Sequence, residues 1–192
     1  MAEPMIVNDK AATSSGADRR PTIDDMYGMP RDGQKYELVE GELKVAPAGM
    51  YHEFVAGELY FRLRLYVRDH PIGSLFTSSA GFVLDNGQVL SPDVSFVAAQ
   101  KLQGPIPTGF GHFSPDLAIE IVSPGDILSD VEDKAQIYLE NGTRLVWAIV
   151  PRSKRALIYR ANRKLQVVEG DEPLDGEDVL PGFSCPLSAV LG

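Results

Sequence analysis

Apolar residues recur at helical spacing most clearly between His52 and Asp69, where Val55, Leu59, Leu63 and Tyr66 share one face and Arg62, Arg64 and Arg68 spread over the rest. This pattern predicts a long amphipathic helix. A second helix is expected from Ser129 to Asn141, with an apolar stripe of Val131, Ala135, Tyr138 and Leu139. Ser129 and Glu132 have the spacing of a capping box, and Gly142 supplies a left-handed stop. Thr22 is placed to cap a short helix over Ile23 to Tyr27, ended by Pro30 and an Asp32-Gly33 turn.

The remaining apolar runs have strand length. Tyr36 to Val45 alternates around Glu40-Gly41 and reads as a hairpin. Ser74 to Ser79, Gly81 to Leu84, Gln88 to Leu90 and Val94 to Val97 read as a meander, followed by a Gly/Pro-rich loop from Gly104 to Pro115. Asp116 to Ser123 (DLAIEIVS) and Arg144 to Val150 (RLVWAIV) are nearly continuous apolar runs, as in strands buried on both faces. Arg155 to Arg160 and Lys164 to Val168 form a closing hairpin. The strand, helix, strand order over 116–150 is that of a crossover unit, so the expected class is α/β or mixed α+β with a mixed central sheet. Residues 1–20 offer no period that buries a face and read as a disordered leader, which leaves 21–192 as a single domain.

Composition narrows the function. One cysteine, Cys185, excludes an internal disulfide framework and any multi-cysteine metal site, and is most simply a small buried residue. No apolar run approaches membrane-helix length and the polar start lacks a secretory h-region, so a cytoplasmic protein with no membrane partner is expected. The formal net charge of −9 argues against a general nucleic-acid coating protein. Its distribution is uneven, because residues 165–192 hold six acids and no lysine or arginine, an acidic C-terminal segment over 169–192. A local groove for a polyanion therefore stays open.

No glycine-rich phosphate loop, GxSxG elbow, HExxH or CxxC motif occurs. Acids within apolar strands stand out instead. Alternation in DLAIEIV puts Glu120 on one face with Ala118 and Val122, while Leu117, Ile119 and Ile121 share the other. A carboxylate buried there costs several kcal/mol unless paired or metal-bound; an edge-strand glutamate facing water would show the same period. Asp93 follows Pro92 at the head of a strand, where a turn cap and a metal ligand are both open readings. Lys134 falls at the edge of its helix stripe, from which its stem can run along a sheet to a strand-end carboxylate; a solvated flank lysine is the alternative. Two carboxylates and a lysine converging at one sheet end would equip a metal-dependent phosphodiesterase.

In order, PTIDDMYGMPRDGQKYELVEGEL, the helix from His52, GFVLDNGQVLSPDVSFV, PDLAIEIVSPGD, DKAQIYLENGTRLVWAIVP and the IYR strand resemble the Uma-two family of restriction-endonuclease-like proteins. The likeness spans roughly residues 21 to 185. It implies the PD-(D/E)XK nuclease superfamily and a restriction-endonuclease-like core, a mixed sheet flanked by helices. By resemblance Asp93 is the first acid and Glu120 the second, both ligands of Mg2+ or Mn2+. Val122 stands where the superfamily motif has its lysine, and the family resemblance supplies Lys134 instead. Glu37 and Glu42 occupy family-typical places for a further acid, one catalytic and one metal-binding, and which faces inward is open; His52 is a further candidate contact. The implied function is metal-dependent cleavage of DNA by a homodimer. The alternative is a non-catalytic homodimeric interaction module, using apolar surface around Phe110, Phe113 and Phe183 and a C-terminal arm from Val179 to Leu191.

Overall fold

The computed structural model describes residues 19–30, 35–45, 49–161 and 163–192. Apart from Arg19 and Arg20, the expected leader lies outside the described residues, as does the Asp32-Gly33 turn. The elements run α1 (Ile23–Tyr27), β1 (Tyr36–Val39), β2 (Glu42–Val45), α2 (Met50–Asp69), β3 (Gly73–Thr77), β4 (Phe82–Val83), β5 (Val89–Leu90), β6 (Val94–Ala98) and α3 (Ala99–Leu102). They continue with β7 (Leu117–Ile121), α4 (Leu128–Glu140), β8 (Leu145–Val150), a 3-10 turn over Pro151–Ser153, β9 (Arg155–Arg160), β10 (Gln166–Glu169), β11 (Pro173–Asp175), β12 (Ser184–Pro186) and α5 (Ser188–Leu191). No helix among the described residues is long and apolar enough to cross a membrane.

The main sheet has the order β10-β9-β8-β7-β6-β3, and only β7 and β8 pair in parallel. α4 connects that parallel pair, as the strand, helix, strand order anticipates. A smaller sheet, β2-β1-β5-β4, carries the hairpin. The hairpin closes on Glu40 and Gly41, both at positive φ (52° and 79°), the geometry of the two-residue type I′ turn that glycine favours.

Strand alternation divides the core. Leu117, Ile119 and Ile121 of β7, with Leu145, Trp147 and Ile149 of β8, pack on Val55, Leu59, Leu63 and Val67 of α2. On the opposite face Ala118 and Val146 pack against Ala135 and Tyr138 of α4. The C-terminal segment is part of the first core: Leu174, Leu180, Leu187 and Val190 are fully buried in it, and Phe183 stacks near Trp147 with ring centroids 6.2 Å apart. The interaction module invoked Phe183 as apolar surface, but that side chain is 5% exposed and already covered. Leu180→Ala should therefore lower stability by about 2–5 kcal/mol in urea unfolding; a segment reserved for a partner would leave the unfolding curve unmoved.

α4 departs from the expected start. It begins at Leu128 with Ile127 as its N-cap, so Ser129 is the second helical residue and its hydroxyl sits past the capping position. The preceding turn is closed by the Ser123 and Asp126 pair, in which the Ser123 N–H donates to Asp126 Oδ2 at 2.7 Å. Gly142 has the expected left-handed φ of 93°.

Candidate active site

β6 and β7 run antiparallel with Val94 opposite Ile119, and continuing that register by one position sets Asp93 opposite Glu120. Residues directly opposite across such a pair have Cβ atoms about 4.5–5.5 Å apart. The link is direct, because the Ile121 N–H donates to Asp93 Oδ2 at 2.8 Å. Asp93 is 5% exposed and Glu120 8%. Two acids thus meet at one end of a buried strand pair, where each must find positive charge or proton donors.

They find both. Lys35, just before β1, reaches Asp93 Oδ1 at 2.9 Å, and His52 Nε2 in the first turn of α2 lies 2.9 Å from Oδ2. Lys134 of α4 stands between Glu120 Oε1, at 2.9 Å, and both carboxylate oxygens of Glu37, at 2.9 and 3.0 Å. One turn further along α4, the Tyr138 hydroxyl donates to Glu120 Oε1 at 2.9 Å. Glu37 also accepts the Ser91 N–H at 2.8 Å, which ties β1 to the residue two before Asp93.

This environment sets the ionisation of each group. Burial pushes Asp93 upward, but the His52 hydrogen bond and the Lys35 charge outweigh it and hold the carboxyl well below its usual range. Burial also opposes ionisation of Glu37, and the charges of Lys134 and Lys35 overcome it, so Glu37 is lowered. For Glu120 burial prevails over the pull of Lys134 and its pKa is raised. Burial would discharge Lys134, yet the carboxylates of Glu120 and Glu37 raise its pKa and keep it an ammonium. Burial lowers and the Asp93 contact raises the pKa of His52, with a net upward shift.

Of the residues singled out in the sequence, Asp93, Glu120, Lys134, Glu37 and His52 come together, and Glu42 does not. Glu37 pairs with Lys44 and Val39 with Glu42, so both glutamates point to the same side of the hairpin. Glu42 lies nearer the turn, is exposed, and is not among the residues lining the cleft. Position along the strand separates the two, which parity alone does not reveal. Sequence reasoning passed over Lys35 and Tyr138. Lys35 lies two residues before Glu37, the spacing that puts both on one face of an extended chain; Tyr138 lies four after Lys134, on the same helix face.

The cluster forms the floor of a cleft of about 1280 Å³. Its walls include Tyr27 and Phe110 from the smaller sheet's side and Ile127 and Asp130 near the start of α4. Among the described residues no three acid, histidine or cysteine side chains are arranged to hold a metal ion. The arrangement offers two carboxylates on adjacent strands and a charged ammonium beside them, all lining the cleft.

No curated protein matches the chain. Among solved structures, one described as a putative nuclease belonging to DUF820 from Anabaena variabilis superposes with a TM-score of 0.80, covering 89% of this chain and 97% of that one at 21% identity. That likeness is one of fold: a mixed sheet, as the strand, helix, strand order anticipated, flanked by helices, as the family resemblance implied. The profile of the Uma2 family, described as "Putative restriction endonuclease", matches residues 23–188, which takes in every member of the acid and lysine cluster. With that match running through nearly all of the described chain, the protein belongs to the Uma2 family.

Proposed function

We propose that the protein is a metal-dependent endonuclease that hydrolyses phosphodiester bonds of DNA at the Asp93, Glu120 and Lys134 cluster. One observation carries the reading: a largely covered lysine, 17% exposed, is bracketed by two glutamates beside a third acid, on the floor of an open cleft. An ion-pair network kept only for stability has no need of a cleft. Membership of a family described as "Putative restriction endonuclease" agrees with it.

The donor set suits a hard divalent cation. Mg2+ is commonly held by one or two carboxylates, with water and substrate phosphate completing its shell, so Asp93 and Glu120 suffice without a third protein ligand. Bound there, Mg2+ or Mn2+ supplies a Lewis acid for the phosphate and a water of lowered pKa. The remaining work falls to the chain's own groups. Asp93, held ionised by Lys35 and His52, presents oxygen donors at neutral pH. Glu37 holds the Lys134 ammonium at a fixed place, where its charge orients the attacking water and stabilises the charge that builds on the phosphate oxygens. Tyr138 fixes the rotamer of Glu120.

The direct test is cleavage of plasmid DNA and of single-stranded circular DNA with Mg2+ or Mn2+, with and without EDTA, by the wild type and by Glu120→Gln. The amide keeps the side chain's shape and still accepts the Tyr138 hydrogen bond. Metal-dependent cleavage that falls by about 10–100-fold or more in the variant is expected; a wild type that is folded and cleaves nothing with either metal overturns the proposal.

A further inference from the structure

The cleft's walls differ from its floor. Eight acidic side chains and three lysines line it among the described residues. Lys35 and Lys134 are already engaged by the acids on the floor. Glu40, Glu53, Asp126, Asp130 and Asp133 are all exposed along the sides, and Lys44 is the third lysine. Duplex DNA carries about one negative charge per 1.7 Å of its axis, spread over two backbones. Such a rod presented to these walls meets carboxylates where a duplex groove would need lysine and arginine.

One wall has a different character. Tyr27, at the end of α1, stacks on Phe110 from the 104–115 loop with ring centroids 4.6 Å apart and planes 26° from parallel. Both rings line the cleft, and Tyr27 remains 55% exposed. The pair is firmly seated. Met26, next to Tyr27, is buried with Leu38, Val83 and Val89, and Phe110 packs against that cluster. Gly81 lets the loop close in, because a Cβ there would lie 2.7 Å from the Phe110 ring. Ile106, 55% exposed, extends the apolar wall.

From this juxtaposition we infer that the site takes an unpaired nucleic-acid strand, with a base stacked on Tyr27 and the scissile phosphate turned toward Lys134. The inference rests on the nuclease reading of the same site and specifies its substrate. An unpaired strand can turn its uncharged base to the aromatic wall and brings one backbone, not two, past the acidic sides, which a duplex cannot do. Base stacking on aromatic side chains tolerates every base, so strandedness and not sequence is what the wall selects.

The test is fluorescence anisotropy in EDTA with labelled oligo(dT), oligo(rU), and DNA and RNA duplexes of the same length. Either single strand should bind at least about tenfold more tightly than both duplexes, and the better of the two identifies the sugar. Tyr27→Ala should weaken single-strand binding about tenfold, and Tyr27→Phe, which keeps the ring, should stay within about twofold. Tyr27 is exposed, so equal melting temperatures of the three proteins verify that only the surface has changed. Duplex binding as tight as single-strand binding, single-strand binding unmoved by Tyr27→Ala, or no binding to any probe overturns the inference. Cleavage is scored separately with Mn2+. The expected binding preference without cleavage leaves the strand inference standing and overturns the nuclease reading, whereas duplex cleavage with no strand preference does the reverse.

Discussion

Lys134→Met should abolish cleavage and in the same protein remove about 3–5 kcal/mol of stability at neutral pH, the scale expected when the buried Glu120 loses the cation it is paired with. The methionine fills the space of the lysine stem but leaves Glu37 and Glu120 facing one another with no cation between them. Burial and mutual repulsion then hold both carboxyls above their unfolded values, so the folded state binds more protons than the unfolded one. The variant therefore gains stability as pH falls through the folded pKa values of the two glutamates. Wild-type Glu37 behaves oppositely, because its lowered pKa makes its contribution present above the unfolded value and lost on acidification. Urea unfolding at several pH values reads both slopes. The double variant Lys134→Met/Glu120→Gln separates structure from chemistry: with one charge gone it recovers part of the lost stability and none of the activity. A Lys134→Met protein with wild-type stability and unimpaired cleavage would remove the lysine from both roles.

Much of this site was legible because it rests on two simple periods. Alternation along DLAIEIV placed Glu120 with Ala118 against Leu117, Ile119 and Ile121, and the core divides β7 along that line. The helical stripe of α4 put Lys134 at its edge, and its ammonium does reach a strand-end carboxylate. Features that depend on register across distant segments were not legible. Asp93 meets Glu120 only because β6 and β7 pair with Val94 opposite Ile119, a register no local pattern encodes. Tyr138 read as one more apolar-stripe residue, since nothing in its helix shows that its hydroxyl ends on Glu120. Lys35 required knowing that β1 joins β5 in a second sheet laid beside the strand ends. The short strands β11 and β12 were missed for a related reason. Each has only three residues, and they pair with each other within a segment that looked like an acidic tail.

Asp93→Ala and Asp93→Asn should both lose about 10–100-fold or more in cleavage yet differ clearly in stability. In the native protein Asp93 accepts from three directions: Lys35 on Oδ1, and His52 with the Ile121 N–H on Oδ2. Alanine removes every acceptor and strands the Ile121 N–H inside the sheet, at a cost of about 1–3 kcal/mol for the orphaned donor. It also leaves the Lys35 and His52 side chains without their shared partner. Asparagine can still take the Ile121 N–H on its amide oxygen, so it avoids the largest part of that loss while forfeiting the charge. The order of stability is therefore wild type, then Asn, then Ala, read as midpoints in urea. Calorimetric titration of Mn2+ gives the second axis, because a residue that supplies an anionic oxygen to the metal weakens binding in both variants alike. Equal metal affinity in wild type and Asp93→Asn, with cleavage preserved, would make Asp93 a sheet-pinning acceptor only; weakened binding in a stably folded Asp93→Asn assigns it to the chemistry.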